Sequence, residues 1–163
     1  VGMMMAEIRS CVSLRKFAQP IIDGMQAIFG VSCADGVAKH LPSDELRGNS
    51  RRAISISLSE AWVKPVFGHD MFGSILLNTI EANDIGKCVV VTDSGFKCEA
   101  QPIIKQFMPG EVESIRIHRQ GHDFSDDSRS YWKDPRVKVK HIFNDGSLSD
   151  LEDRVRGLVE MWT

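Results

Sequence analysis

The sequence predicts an α/β fold in which helices alternate with short, buried parallel strands. Apolar runs of strand length, bounded by turn residues, alternate along the chain with segments whose apolar residues have helical spacing. The clearest run, Cys-Val-Val-Val at 88–91, lies between Gly86 and the turn residues that begin at Asp93, which is typical of a strand covered on both faces. A chain of 163 residues suits one domain, so we expect residues 1–163 to fold as a unit.

Composition excludes several classes of function. The formal net charge of −2 argues against a protein that coats nucleic acid or an anionic membrane, so any anionic ligand must be held by local arginines. No apolar run approaches the ~18 residues of a membrane span, and no basic segment leads into an apolar one at the start. The four cysteines include no Cys-x-x-Cys pair, which indicates reduced thiols of a cytoplasmic protein and argues against a zinc site.

Two helices are predicted near the start of the chain. Residues 1–9 have apolar side chains at helical spacing, but nothing precedes Val1 that could cap the helix, so we expect a fragment that begins within an element. Residues 17–30 place Pro20 near the first helical position and Gly30 at the end, the usual asymmetry of a helix. The buried face predicted for this helix consists of Ile21, Ile22, Met25, Ile28 and Phe29.

Two more helices are predicted before the central strand. Residues 31–48 contain a proline and two glycines and are expected to be mostly loop. Asn49 or Ser50 can cap a helix that runs to about Trp62 and turns that indole toward the core. Residues 69–82 predict a helix that packs on the sheet through Phe72, Ile75, Leu76 and Ile80.

Helix and strand continue to alternate after the central strand. Residues 97–107 are a helical candidate, which Pro102 limits unless the helix begins just before it. Residues 111–118 and 137–143 predict two further strands. The long polar segment between them, 119–136, is of a kind that is usually functional or mobile.

The chain closes with a turn and a helix. Asn144-Asp145-Gly146 predicts a turn, and Ser147 can cap the helix that follows. The apolar face predicted for this helix consists of Leu148, Leu151, Val155, Leu158 and Val159.

Five short motifs carry a resemblance to a known family. In chain order they are Phe17–Ile22, Ser50–Ile54, Asp93–Ala100, Ile115–Arg119 and Asn144–Leu151. Their order and residues resemble those of the phage-type deoxynucleoside monophosphate kinases, a P-loop kinase family, over nearly the whole chain. The resemblance implies a three-layer, P-loop-kinase-like parallel sheet flanked by helices, in one nucleotide-kinase-like domain with a polar lid at about 119–136.

The sequence departs from the family pattern at three points. No Gly-x-x-x-x-Gly-Lys-Ser/Thr loop is present, and we expect the first strand and this phosphate loop to lie ahead of Val1. Gly95 stands where the family has an arginine, which removes one phosphate ligand. Gln19 replaces an aspartate of the family.

The resemblance implies a kinase that transfers the γ-phosphoryl group of ATP to a (deoxy)nucleoside monophosphate, with Mg²⁺. Arg119 and Arg129 would act from the lid, and Asp93 would orient Mg²⁺ through water. The residues implied for the acceptor nucleotide are Arg52, with Arg51 as a substitute, Glu99 and Phe17, and those implied for the donor purine are Asn144 and Asp145.

Each of these assignments has a structural alternative. Arg51 and Arg52 can be solvated surface charges, and Asp93 can simply cap a turn. Glu99 can pair with Lys97 or Arg52, residues 121–132 can be a solvated loop in which Asp126, Asp127 and Arg129 form internal salt bridges, and Asn144-Asp145 can be a plain turn.

The remaining expectations concern partners and other ligand types. The five histidines do not form a cluster in the sequence, since His118 and His122 flank Arg119 while His40, His69 and His141 are dispersed, so we do not expect them to be metal ligands or catalytic bases. We expect the protein to bind nucleotides, and we expect it to bind neither nucleic acid nor a membrane. A homodimer is left open, and the location would be the host cytoplasm for a phage-encoded protein. The alternative function is a non-catalytic nucleotide-binding or interaction protein that has lost the donor-phosphate loop.

Overall fold

The computed structural model describes residues 1–31, 37–125 and 129–162, and it confirms the mixed α/β class. The predicted free thiols are confirmed for Cys11, Cys88 and Cys98, whereas Cys33 lies outside the described residues.

The chain begins with helix α1 (Gly2–Ile8), strand β1 (Val12–Arg15) and helix α2 (Gln19–Phe29). Both helices are as predicted, and α2 ends where Gly30 adopts a left-handed φ of 68°, a conformation that glycine takes without steric cost. Strand β1 was not predicted, because its four residues alternate polar and apolar over too short a length.

A small hairpin leads into the third helical segment. Strands β2 (Pro42–Ser43) and β3 (Asn49–Ser50) pair in antiparallel fashion. Helix α3 (Arg51–Ser57) begins at the predicted cap, since the Ser50 hydroxyl accepts a hydrogen bond from the Ala53 N–H. The helical path does not stop at Trp62, because a π-helical turn at 58–63 leads directly into helix α4 (Lys64–Phe67). Trp62 is 55% exposed, so its predicted place in the core is wrong.

The central part follows the predicted order helix, strand, helix. Helix α5 (Met71–Asn83) buries Phe72, Leu76 and Ile80, and strand β4 (Cys88–Val91) follows it. Helix α6 (Lys97–Gln106) begins earlier than the proline rule suggested and contains Pro102. The proline removes one N–H from the helix, so the carbonyl of Cys98 has no helical donor.

The last part contains strands β5 (Glu113–His118) and β6 (Lys138–Phe143) and helix α7 (Leu148–Glu160), all close to the predicted bounds. Ser147 caps α7 as predicted: its hydroxyl accepts from the Asp150 N–H while the Asp150 carboxylate accepts from the Ser147 N–H. The 119–136 segment between the strands has no helix or strand among its described residues, apart from an isolated bridge between Arg119 and His122.

The strands do not form one sheet among the described residues. β1 pairs in parallel with β4, and β5 pairs in parallel with β6, but neither pair is hydrogen-bonded to the other. The predicted parallel pairing is therefore confirmed, while the single sheet is not observed.

Helices pack against both faces of β4, but its four residues are half-buried rather than fully buried as the run at 88–91 predicts. Val89 and Val91 pack against the core of α5 and α6, and Val90 packs against a second cluster centred on α1 and α7. Ile115 of β5 and the buried Ile142 of β6 belong to that second cluster, so both strand pairs rest on the same helices. Three residues predicted to be buried are instead exposed: Ile28, Phe29 and Leu148.

Candidate functional site at the strand ends

Residues 129–132 connect the carboxyl ends of β4 and β5. The Ser130 N–H donates to the Gly95 carbonyl at 3.2 Å, and the Trp132 indole N–H donates to the Ser94 hydroxyl at 3.3 Å. On the β5 side, the Tyr131 hydroxyl donates to the Ile117 carbonyl. Both carboxyl ends therefore lie on one side of the molecule, the side on which α/β folds bind their ligands.

Arg129 lies directly against Gly95. A Cβ atom at position 95 would come within 2.6 Å of both Cγ and Cδ of Arg129, a distance that forbids any side chain there unless the arginine moves. The absent side chain at Gly95 thus leaves the space that the stem of Arg129 occupies. Of the sequence-predicted site residues, Arg129, Asp93 and the backbone of Phe17 lie at this end of β4.

The Asp93 carboxylate joins the end of β4 to the start of α2. Its two oxygens accept hydrogen bonds from the N–H groups of Phe17, at 2.8 Å, and Ala18, at 3.0 Å. These bonds cap the turn that precedes α2 rather than the turn after β4, and each oxygen retains a second lone pair that can accept from a water. The Phe17 ring is 3% exposed and packs with Phe72 and Leu76, so Phe17 offers the site its backbone and not its ring.

Glu99 is buried against a lysine that sequence reasoning missed. Lys64 Nζ lies 3.5 Å from Glu99 Oε1, 2.6 Å from Glu60 Oε1 and 4.6 Å from the centroid of the Phe96 ring. The expected partner Lys97 instead lies 3.5 Å from Asp134. The signal for Lys64 was its position inside the apolar run from Trp62 to Phe67, where a lysine needs a buried partner.

The two buried charges respond differently to their surroundings. Burial raises the pKa of Glu99, and the nearby charge of Lys64 offsets this only in part. Burial alone would lower the pKa of Lys64, but its hydrogen bond to Glu60 and the charge of Glu99 outweigh that effect and raise the pKa above its usual value. Lys64 is therefore a permanent cation beside a carboxylate that is costly to ionise.

Asn144, Asp145 and Arg119 lie together where β5 and β6 end. The Asn144 N–H donates to the His118 carbonyl at 2.7 Å, and the Gln120 N–H donates to the Asp145 carboxylate at 2.6 Å. Both bonds join the end of β5 to the residues after β6, and neither is made within the predicted Asn144-Asp145-Gly146 turn. The Arg119 side chain is exposed beside the turn, so this trio forms a second part of the same strand-end surface.

Arg51 and Arg52 stand apart from these groups. Both lie in the first turn of α3, where Arg51 is 3.9 Å from Glu45 and Arg52 is exposed. Lys64, which reaches Glu99, is 12 residues further along the same helical path, or about 18 Å at roughly 1.5 Å per residue. Among the described residues, no hydrogen bond or ion pair joins Arg52 to Asp93 or Glu99.

Two of the five histidines lie next to each other. His118 and His141 are not dispersed, because Nε2 of His118 lies 2.8 Å from Nδ1 of His141. The described ranges contain no group of three or more His, Cys, Asp or Glu residues that could hold a metal ion. The salt bridges expected of Asp126 and Asp127 lie outside the described residues.

No family model matches this sequence, and neither the curated proteins nor the solved structures contain a match. Within the three described stretches, no helix has the length and apolar character needed to cross a membrane.

Proposed function

We propose that the protein transfers the γ-phosphoryl group of ATP to a (deoxy)nucleoside monophosphate. The observation that supports this most is the arrangement of the two parallel strand pairs. They rest on the same helices and their carboxyl ends meet at residues 129–132, yet β4 and β5 are not hydrogen-bonded to each other in the described residues. The proposal places one more parallel strand between them, namely the strand and phosphate loop expected ahead of Val1.

The location of the start of α1 supports the proposed phosphate loop. A Cβ atom at Gly2, the first residue of α1, would come within 2.5 Å of the Thr92 methyl group, so the start of α1 lies at the carboxyl end of β4. A phosphate loop runs directly into a helix whose N–H groups point toward the phosphates. This proximity supports the proposal that α1 is that helix.

The cationic side chains at the strand ends suit phosphoryl transfer. The reaction asks a protein mainly to position its substrates and to place cations around the transferred group. In the proposal Arg129 and Arg119 contact the donor phosphates, Asn144 and Asp145 flank the purine, and Arg52 or Arg51 holds the acceptor phosphate. Because Arg52 lies about 18 Å along its helix from Lys64, its role requires that the acceptor extend toward α3.

The residues present fit a water-held Mg²⁺ better than a directly bound one. Asp93 is the only predicted carboxylate ligand, and both of its oxygens already accept backbone N–H bonds. A magnesium ion bound by phosphates usually keeps several waters, and a carboxylate can accept hydrogen bonds from them. In the proposal Asp93 therefore orients those waters while it holds the start of α2.

The test is an ADP-release assay on the protein expressed from the complete coding sequence, with ATP, Mg²⁺ and each of the four common deoxynucleoside monophosphates. We expect turnover with at least one of them. The Arg129→Ala variant should lose about 100-fold or more in kcat, as expected for removal of a cation that stabilises the transition state. Arg156→Ala, an exposed arginine of α7, is the matched control and should keep wild-type activity.

The acceptor assignment has its own variant. Arg52→Ala should raise the KM for the monophosphate while the KM for ATP stays unchanged, because only the acceptor phosphate loses its ligand. Unchanged kinetics in Arg52→Ala would remove the acceptor role from Arg52, and absence of turnover with every monophosphate would overturn the kinase proposal.

One observation favours the alternative of a non-catalytic nucleotide-binding protein. The Asp93 carboxylate is engaged in holding α2, and Gly95 offers no arginine at the position where the family has one. In that case calorimetry would detect nucleotide binding while the ADP-release assay stayed at background.

A further inference from the structure

A buried arginine of β5 lies against residues 129–132. Arg116 is 9% exposed, and the described residues include no carboxylate that forms an ion pair with it. Its Nε atom is buried and has no hydrogen-bond partner among the described residues. Burial of an unpaired charge is costly, so the contacts that the guanidinium does make have to offset that cost.

Those contacts come from a single segment of the chain. Nη2 of Arg116 donates to the Trp132 carbonyl at 2.7 Å, and the guanidinium carbon lies 5.4 Å from the centroid of the Tyr131 ring. A charged donor makes a stronger hydrogen bond than a neutral one, and a cation is attracted to the face of an aromatic ring. Arg116 therefore attaches residues 129–132 to β5 from below.

The same segment carries Arg129 to the end of β4. The Ser130 N–H donates to the Gly95 carbonyl at 3.2 Å, the Trp132 indole donates to the Ser94 hydroxyl at 3.3 Å, and the Arg129 stem fills the space beside Gly95. The segment has no helix or strand of its own. Its path is therefore set by these attachments and by the attachment to β5.

We propose that Arg116 is a positioning residue for Arg129. By holding the Trp132 carbonyl at β5, it keeps Ser130 and the stem of Arg129 against Gly95. The inference rests on the proposed function, in which Arg129 contacts the donor phosphates. Arg116 itself contacts no substrate in this proposal, and it acts through Arg129 alone.

The chemistry of arginine suits this role better than that of an apolar side chain. An apolar residue of similar volume could fill the space under the segment at no cost in charge burial. The planar guanidinium, in contrast, can donate to a main-chain carbonyl while its face lies against an aromatic ring. Arg116 does both, to Trp132 and Tyr131, and these two contacts fix the orientation of the segment as well as its distance from β5.

A double-mutant cycle on the protein from the complete coding sequence tests the inference. The assay uses ATP, Mg²⁺ and the monophosphate that gives the fastest turnover. Arg116→Met keeps a long side chain but loses both contacts, and we expect kcat to fall about tenfold or more while the KM for the monophosphate stays unchanged, because a small displacement of a cation impairs the transition state. The double variant Arg116→Met/Arg129→Ala should be no slower than Arg129→Ala, whereas a merely structural Arg116 would multiply the two losses.

Arg9→Met is the matched control. Arg9 also donates to the main-chain carbonyl of a tryptophan, Trp162, but it lies at the end of α1, ahead of the amino end of β1. This variant should keep the wild-type kcat. Arg116→Gln, whose side chain is too short for the same hydrogen bond, replaces Arg116→Met if the methionine variant does not fold.

Hydrogen exchange of the Ser130 amide reports on the segment without substrate. We expect exchange about tenfold faster in Arg116→Met than in the wild type, and no change in Arg9→Met, because the bond from Ser130 to the Gly95 carbonyl opens more often. Absence of turnover in the wild type would remove the kinase proposal and this inference with it. Wild-type turnover together with multiplied losses, or with unchanged Ser130 exchange in Arg116→Met, would overturn the inference alone.

Discussion

Asp84 and Glu99 are both buried carboxylates, yet their surroundings shift the pKa in opposite directions. Burial would raise the pKa of Asp84, but hydrogen bonds from Ser13 and Arg15 outweigh it and lower the pKa, with Arg15 donating two bonds of 2.8 Å. Glu99 has only the Lys64 charge to offset its burial, and its pKa is raised. The two residues should therefore contribute to stability with opposite dependence on pH.

The first prediction concerns Asp84→Asn. Because the folded state lowers the pKa of Asp84, its contribution to stability is complete above the unfolded pKa of about 3.9 and declines as the pH falls below it toward the lower folded value. We expect the variant to lose about 2 kcal/mol of unfolding free energy at pH 7, the typical worth of hydrogen bonds to a charged group. Urea unfolding at pH 7 and at pH 3 measures this, and a loss as large at pH 3 as at pH 7 would contradict it. The exposed Asp153→Asn is the control.

The second prediction concerns Glu99→Gln. Because the folded state raises the pKa of Glu99, the wild type loses stability as the pH rises from the unfolded value of about 4.3 through the folded value, and glutamine carries no such cost. The unfolding free energy of Glu99→Gln relative to wild type should therefore rise between pH 4 and pH 7. Urea unfolding across this range checks the sign, with the exposed Glu152→Gln as the control, and a difference that is constant with pH would refute it.

Sequence reasoning located individual residues better than their partners. The turn after the central strand predicted where Asp93 would lie, but no local pattern shows that its carboxylate accepts from Phe17 and Ala18, which are more than 70 positions away. The pairing of His118 with His141 depends on the register of β5 against β6, and that register is fixed by packing rather than by neighbours in sequence.

At the scale of elements, periodicity and capping residues predicted most helices and strands. Ser147 before an apolar periodic run predicted the start of α7, and the structure shows the complete capping box. The side of a helix that becomes buried was less certain: Ile28 and Trp62 have helical spacing but lie where no other element covers them. Strand β1 was missed because its burial depends on β4, which lies more than 70 residues later in the chain.

The third prediction tests the cap of α7. Ser147→Ala removes the hydroxyl that accepts from the Asp150 N–H at 3.2 Å and should lower the unfolding free energy by about 1 kcal/mol. Ser149→Ala, two residues later and inside the helix, is the matched control, because alanine there improves helix propensity and removes no cap. Thermal unfolding of both variants gives the comparison, and equal midpoints would show that the box does not stabilise the helix.

At the scale of the whole molecule, β4 and β5 each pair with one strand among the described residues, and their other edges bear on the proposed phosphate loop. Cys88 and Thr92 donate their N–H groups to β1, at Cys11 and Arg15. In a parallel ladder alternate residues donate to the same neighbour, so the N–H groups of Val89 and Val91 point away from β1. They point toward the side on which a further strand would lie.

The N–H groups of β5 alternate in the same way, so hydrogen exchange can test whether a strand lies between β4 and β5. The His118 carbonyl accepts from the Asn144 N–H, so His118 and Arg116 bond to β6 while Ile115 and Ile117 face away from it. In this chain we expect the amides of Val89, Val91, Ile115 and Ile117 to exchange with deuterium at least about tenfold faster than those of Val90 and Arg116, since unpaired edge amides lack protection.

Hydrogen exchange on two proteins then tests the architecture behind the kinase proposal. In the protein from the complete coding sequence, a strand between β4 and β5 should protect those four amides to the level of their neighbours. Equal protection of all six amides in the present chain would mean that β4 and β5 pair directly and leave no place for a strand. Fast exchange of the four in both proteins would mean that the edges stay open, which removes the structural support for a phosphate loop at that position.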